Sequence, residues 1–247
     1  MSDALTLSGR CLRLSRRNTE AVLTSLMLPI MLMLLFVYLF GGAIRTGTEY
    51  VTYVVPGVLL LCAGYGASIT AVSVSHDMSS GLVDRLRSLD VGGAAFLAGH
   101  VVASVARNAA STVVVLGVGI LIGFRPDATP PEWVAAAGML TLFVVALSWF
   151  AALIGVLAKT PEGASGFTFF VMFLPYPSSA FVPIATMPAW IHGFAEHQPV
   201  TPVIETIRSL LLGTPAGTNP AQAVAWCSAI LVASVALAGV LFRRRTA

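Results

Sequence analysis

The stretch YVVPGVLLLCAGYGASITAVSVSHDMSSGLVDRLRSLDV, Tyr53–Val91, joins two different kinds of chain. From Tyr53 to Ser75 there is no Asp, Glu, Lys or Arg. That run is long enough to cross a hydrocarbon core, which takes about 20 apolar residues as a helix. In lipid the backbone must satisfy its own hydrogen bonds, and a helix does so within one segment. The character changes after Ser75, where Asp77, Asp84, Arg85, Arg87 and Asp90 follow within a few turns. Leu82, Leu86 and Leu89 recur at i, i+4 and i+7, with Met78 and Val83 flanking. This half reads as a short amphipathic helix beside a membrane, with Ser80 as its N-cap and Asp84 favouring the helix dipole.

Outward from this stretch the same alternation continues. The chain has 247 residues, 57% hydrophobic and 10% charged. A soluble domain carries about 25% charged residues, so the composition points to an all-α, polytopic membrane protein. Six spans are predicted, near 21–42, 53–75, 104–124, 133–158, 166–184 and 221–242. They form one membrane domain over 1–247, with no internal repeat and no soluble domain. The apolar run after Arg17 is too long for a cleaved leader and is read as the first span, retained. With six spans, Lys and Arg divide 11 against 3, with Arg45, Arg125 and Arg208 in the minority. The positive-inside rule then puts both termini and Met78–Val91 in the cytoplasm. The basic residues sit in short clusters between apolar spans, a pattern that gives no nucleic-acid face.

Two segments depart from simple spans. Val91–Ala106 is small and moderately apolar, and is read as a helix rising obliquely into the third span. Thr186–Gly213 is too polar to cross and too apolar for a loop; Pro183, Pro188, Pro199 and Pro202 divide it into short helices. It is read as a helical hairpin dipping into the outer leaflet, with Trp190 as an interfacial anchor.

Few residues offer chemistry. A phosphate-binding loop needs the pattern G-x-x-x-x-G-K-[ST]. The single lysine, Lys159, follows Ala158, so this chain cannot form that loop. HExxH and Gly-x-Ser-x-Gly are also absent. Cys11, Cys62 and Cys227 are far apart and read as small apolar residues. His192, Glu196 and His197 lie in the outer hairpin, and their spacing favours ordinary polar residues over a metal or proton site. Arg107, with Asn108, is placed near the cytoplasmic start of the third span, as a brace or a partner of Asp77 or Asp90. The spans carry no central carboxylates, which argues against a proton- or sodium-coupled carrier and against a charged-ring channel. Gly57, Gly64, Gly66 and Ser68 suit close helix contact. Phe167, Phe169, Phe170, Met172, Phe173, Tyr176 and Phe181 give the fifth span an adaptable aromatic surface, which suits packing, lipid or apolar cargo.

Two stretches carry a resemblance. HDMSSGLVDRLRSLDV, His76–Val91, resembles the first cytoplasmic loop of type-2 ABC transporter permeases, through Asp77, Gly81, Asp84, Arg85 and Leu86. PYPSSAFVPIATMPAWIHGFAEHQPVTPVIETIRSLLLG, Pro175–Gly213, is similar to the outer hairpin of the same permeases, especially the daunorubicin-resistance branch. Asp90 departs from relatives that carry proline there. The resemblance implies a six-span fold with an N-terminal interfacial helix, a coupling helix after the second span and a re-entrant hairpin before the sixth. It implies a dimer with a second copy or a sister permease, in the plasma membrane. Two cytoplasmic ATPase subunits, holding ATP and Mg, would dock below. Asp77, Gly81, Leu82, Val83, Asp84, Arg85 and Leu86 would form the coupling contact, and Arg13, Arg16 and Arg17 would lie beside it. Those three arginines fit a topology signal against anionic lipid equally well. Phe169, Met172, Phe173, Tyr176 and Phe181 would face the pathway of a drug, antibiotic or lipid. The chain itself would hold no cofactor. A non-transporting assembly or regulatory factor remains the alternative reading.

Overall fold

The structure is a computed structural model that describes residues 9, 11, 19–44, 46–83, 93–215 and 217–246. Among these residues all the regular secondary structure is helical. The helices are α1 (Thr19–Leu35), α2 (Tyr50–Ser79), α3 (Gly93–Leu121), α4 (Pro130–Leu157), α5 (Pro161–Phe173), α6 (Ala189–His197), α7 (Val200–Leu212) and α8 (Asn219–Thr246). A π-helical turn, Phe36–Phe40, extends α1, and a 3-10 turn covers Ile184–Thr186.

α2 and α4 are the central pair. α2 is apolar on every side, as a helix surrounded by protein requires, and α1, α3, α4, α5 and α7 pack around it. α4 carries α3, α7 and α8 on its remaining faces. The main core joins Val54, Val58, Leu60 and Leu61 of α2 to Phe124, Ile204, Ile207 and Leu211. A second core at the opposite end joins Val74, Phe96, Leu97, Val156 and Phe242. A hydroxyl bond of 2.9 Å from Ser148 to Ser104 fixes the antiparallel register of α3 against α4.

The small-residue face expected on α2 is used for contact. A Cβ on Gly57 would lie 2.8 Å from Ala180 O, and one on Gly66 would lie 2.3 Å from Asn108 Nδ2. Neither position has room for a side chain. At the far end Arg245 Nη1 donates to Val156 O, and to Ala158 O at 2.8 Å, closing the carbonyl end of α4.

Among the described residues four helices are long and apolar enough to cross a membrane: α2, α3, α4 and α8. The apolar part of α1 with its π turn is shorter, Leu26–Phe40. The expected fifth span, 166–184, differs from what forms. α5 begins earlier, where the Thr160 hydroxyl accepts from Gly163 N–H and Pro161 fills the first turn. It ends at Phe173 and gives way to turns through Phe181. Pro175 and Pro177 supply no N–H and clash with the preceding turn, so the helix stops before them. The segment expected to rise obliquely into the third span is continuous with it from Gly93. Arg107 lies in the middle of α3. The segment expected as an outer hairpin forms two consecutive helices, α6 and α7, separated at Gln198–Pro199.

Candidate functional site

The two ends of α2 carry the polar constellations. At the C-terminal end, Ser80 N–H donates to His76 O at 2.9 Å. The Ser79 and Ser80 hydroxyls donate to His76 O and Asp77 O. Ser80 thus finishes α2 rather than opening the next helix, as its spacing had led us to expect. Gly81 follows in the left-handed region, φ 74°. This conformation costs an L-residue about 1–2 kcal/mol and glycine little. Leu82 and Val83 then return to helical geometry. Val83 is 3% exposed and packs with Phe96 and Phe242, while Leu82 and Met78 are half-buried on the same cluster.

Asp77 anchors this end laterally. Its Oδ2 lies 3.3 Å from His100 Nε2 on α3, and its Oδ1 lies 3.7 Å from His76 Nδ1. His100 is buried, with its ring edge-on to Phe96 at 4.9 Å. The structure so brings Asp77, Gly81, Leu82 and Val83 to one place. Asp84, Arg85 and Leu86 lie outside the described residues, as do Arg13, Arg16 and Arg17. In the N-terminal region Cys11 is described, and it is buried.

Midway along, Arg107 Nη2 donates to Gly66 O at 3.0 Å and to Thr70 Oγ1 at 2.9 Å. The brace therefore runs from α3 to α2. Asn108 beside it donates to Ser104 O at 2.9 Å.

The N-terminal end of α2 holds a group that sequence reasoning missed. Arg208 on α7, counted only as an outer cation, is 6% exposed. Its Nη1 donates to Glu205 Oε1 at 2.5 Å, and its Nη2 donates to Tyr53 O at 3.0 Å and Ser179 O at 2.7 Å. The guanidinium carbon stands 3.8 Å from the Tyr53 ring centroid. Tyr50 reinforces the same corner by donating to Phe181 O at 2.9 Å. A cleft of about 730 Å³ opens here, with Tyr53, Ser179, Glu196, Glu205 and Arg208 in its walls. One signal was present in the sequence. Arg208 follows Ile204 by four and precedes Leu211 by three, on the apolar stripe of α7, where an arginine must find partners.

The predicted pathway residues form an aromatic ladder. Ring centroids are 4.7 Å apart for Phe169–Phe173, 5.5 Å for Phe173–Tyr176, 5.3 Å for Tyr176–Phe181 and 4.5 Å for Phe181–Phe36. Phe169 and Phe173 are exposed, Met172 and Tyr176 half-buried, and Phe181 buried in the core. In the hairpin each histidine ring meets a backbone carbonyl, His192 with Met187 O at 2.8 Å and His197 with Gly193 O at 2.9 Å.

Helices of this length and apolarity make the chain a membrane protein of the polytopic class. Residues 3–212 match the family described as ABC-2 type transporter, and the chain belongs to that family. It is 32% identical to the daunorubicin resistance ABC transporter permease protein DrrB1 of Streptomyces coeruleorubidus, over all of this chain and 88% of that one. It is 26% identical to the protein named Probable doxorubicin resistance ABC transporter permease protein DrrC of Mycobacterium tuberculosis, over 99% of this chain and 89% of that one.

Proposed function

We propose that the chain is the permease subunit of an ATP-driven exporter, which moves hydrophobic or amphipathic molecules such as a drug, an antibiotic or a lipid out across the plasma membrane. The observation that carries this reading is the end-to-end similarity to drug-resistance ABC permeases, within a family matched over residues 3–212. A separate ATPase, two copies per complex, holds ATP and Mg and supplies the energy. The permease pairs with a second copy or a sister permease. It spans the membrane six times with both termini in the cytoplasm. In this reading α1 with its π turn, and α5 with the turns after it, complete the six. The helix before α1 lies on the cytoplasmic surface, and α6 and α7 form the outer re-entrant hairpin.

The chemistry of the α2 base supports a coupling role. Gly81 breaks α2 at a defined point, so that the segment after it points as a separate unit. Asp77 and Val83 tie the root of that segment to α3 and α8. A push on 84–90 from an ATPase below is then delivered to α2, the helix that touches most of the others. Leu82 and Leu86 fill a groove on the ATPase in this scheme, and Arg85 pairs with its rim. Export runs past the aromatic face of α5, through Phe169, Met172, Phe173 and Tyr176, with Phe181 freed from the core as the pathway opens.

The test is co-purification of the ATPase in mild detergent, with transport and ATP hydrolysis measured together. Leu86→Asp and Gly81→Pro should leave the permease inserted but lose the ATPase or its coupling. Normal export by both variants at normal expression would remove the coupling role. A wild type that neither exports nor co-purifies with an ATPase would instead leave a non-transporting assembly factor as the better account.

A further inference from the structure

A cleft of about 290 Å³ lies between α3 and α4. Leu116 of α3 and Leu140 of α4 line it, together with Leu59 of α2 and Ile207 of α7. Trp133 lies at one end and Asn108 at the other. Asn108 is 3% exposed and held through Nδ2 by Ser104 O, with Val105 and Val144 lining the cleft beside it. The mouth opens sideways past Ala109 and Ala137, both exposed, beside Val113 at 70% and Val134 at 74% exposure. It does not open toward the cleft around Arg208, and it shares no lining residue with the aromatic ladder of α5.

Protein interiors leave few voids larger than a water molecule. Water gains little in a slot with so few polar partners. Along α4 the slot runs from Trp133 to Val144, a rise of ~16 Å. With the radius of a water added on each side, that length and volume leave it roughly 7 Å across, less than the girth of an α-helix. A helix of a second copy is too thick to enter, whereas an unbranched hydrocarbon chain fits. The amphipathic indole of Trp133 suits the level where acyl chains meet headgroups.

We infer that this slot is a binding site for one acyl chain of a bilayer phospholipid, which lies along α3 and α4 from Trp133 toward Asn108. The inference rests on α3 and α4 lying in the bilayer, as proposed above, but not on the coupling role. The bound chain completes the packing between α3, α4 and α7.

The chain has four tryptophans. Replacing Trp149, Trp190 and Trp226 by Phe leaves Trp133 as the sole reporter. The full-length protein, stripped of lipid in detergent, is titrated with a phospholipid brominated on its acyl chain. Trp133 should lose most of its emission along a saturable curve, and excess unbrominated phospholipid should restore it. Ala137→Phe fills the slot from α4 and Ala109→Phe from α3, so a folding defect in one leaves the other as the test. Either filling variant, while monodisperse, should lose the saturable phase. Proportional quenching without saturation, or saturable quenching unchanged by filling, would overturn the site. So would reversal by a fused-ring amphiphile but not by phospholipid, which would make the occupant cargo. Because binding is read without ATPase or transport, a failure of the exporter reading leaves this result independent.

Discussion

The two ends of α2 are held in opposite ways. At the Tyr53 end one arginine, Arg208, ties α7 to the α2 backbone, to the 174–181 turn and to the Tyr53 ring. At the Ser79 end a carboxylate–imidazole pair, Asp77–His100, and a small aromatic cluster hold the helix just before Gly81 breaks it. One end is a multi-point clamp and the other is an articulation. A helix fixed at one end and hinged at the other passes a push at the hinge into a tilt of its whole length. The N-terminal clamp is then a stability element, and the C-terminal joint a coupling element whose loss costs little stability.

Arg208→Met is the strongest way to break this contrast. It strands two carbonyls and leaves Glu205, itself 30% exposed, without its partner, and each hydrogen bond lost from a charged group costs about 1.5–3 kcal/mol. Thermal unfolding in detergent should show the largest drop of any variant here. Arg208→Lys should recover little, because an ammonium cannot reproduce the fork and the ring contact. Gly57→Val comes next. It drives a side chain into the Ala180 backbone, and overpacking of this kind costs about 1–3 kcal/mol, read in the same assay. Asp77→Asn should cost only about 1 kcal/mol, the scale of one partly exposed ion pair, yet should abolish coupling of ATP hydrolysis to export. If Asp77→Asn destabilised more than Arg208→Met, or left coupling intact, the distinction between clamp and joint would fail.

The smallest effect sits away from both ends. The Glu132 carboxylate accepts from Thr129 N–H and Oγ1, both at 2.6 Å, where α4 begins. These bonds, the hydroxyl's first, hold its pKa below the usual carboxylate value. A depressed folded pKa gives stability that is present above the unfolded value and lost as pH falls through the folded one. Glu132→Gln should therefore flatten the acid side of the unfolding-temperature profile slightly and leave neutral pH nearly unchanged.

Much of this was legible in the sequence. The apolar runs announced α2, α3, α4 and α8, because length and absence of charge suffice for a helix in lipid. The prolines at 188, 199 and 202 announced the short helices α6 and α7. Gly57 and Gly66 announced close approach, though not that Ala180 and Asn108 would be the neighbours. Two misreadings share a cause: Ser80 is read as opening the helix after it, and the fifth span as one continuous helix. In each case local pattern was used to place a boundary that hydrogen bonds and neighbouring helices decide.

The sequence by itself determined that this chain is helical and apolar and that its single lysine, Lys159, stands in no phosphate-binding motif. These properties depend on composition, spacing and the chemistry of single residues. Only the tertiary structure decided which oxygen each buried cation would meet. Arg107 and Arg208 look alike in sequence as isolated arginines among apolar residues. One bonds to the backbone and a hydroxyl of α2, and the other joins a carboxylate, two carbonyls and a ring. Their partners lie from 29 to 155 residues away, apart from Glu205. Contacts across such distances follow from how the helices pack, and packing depends on the whole set of faces at once.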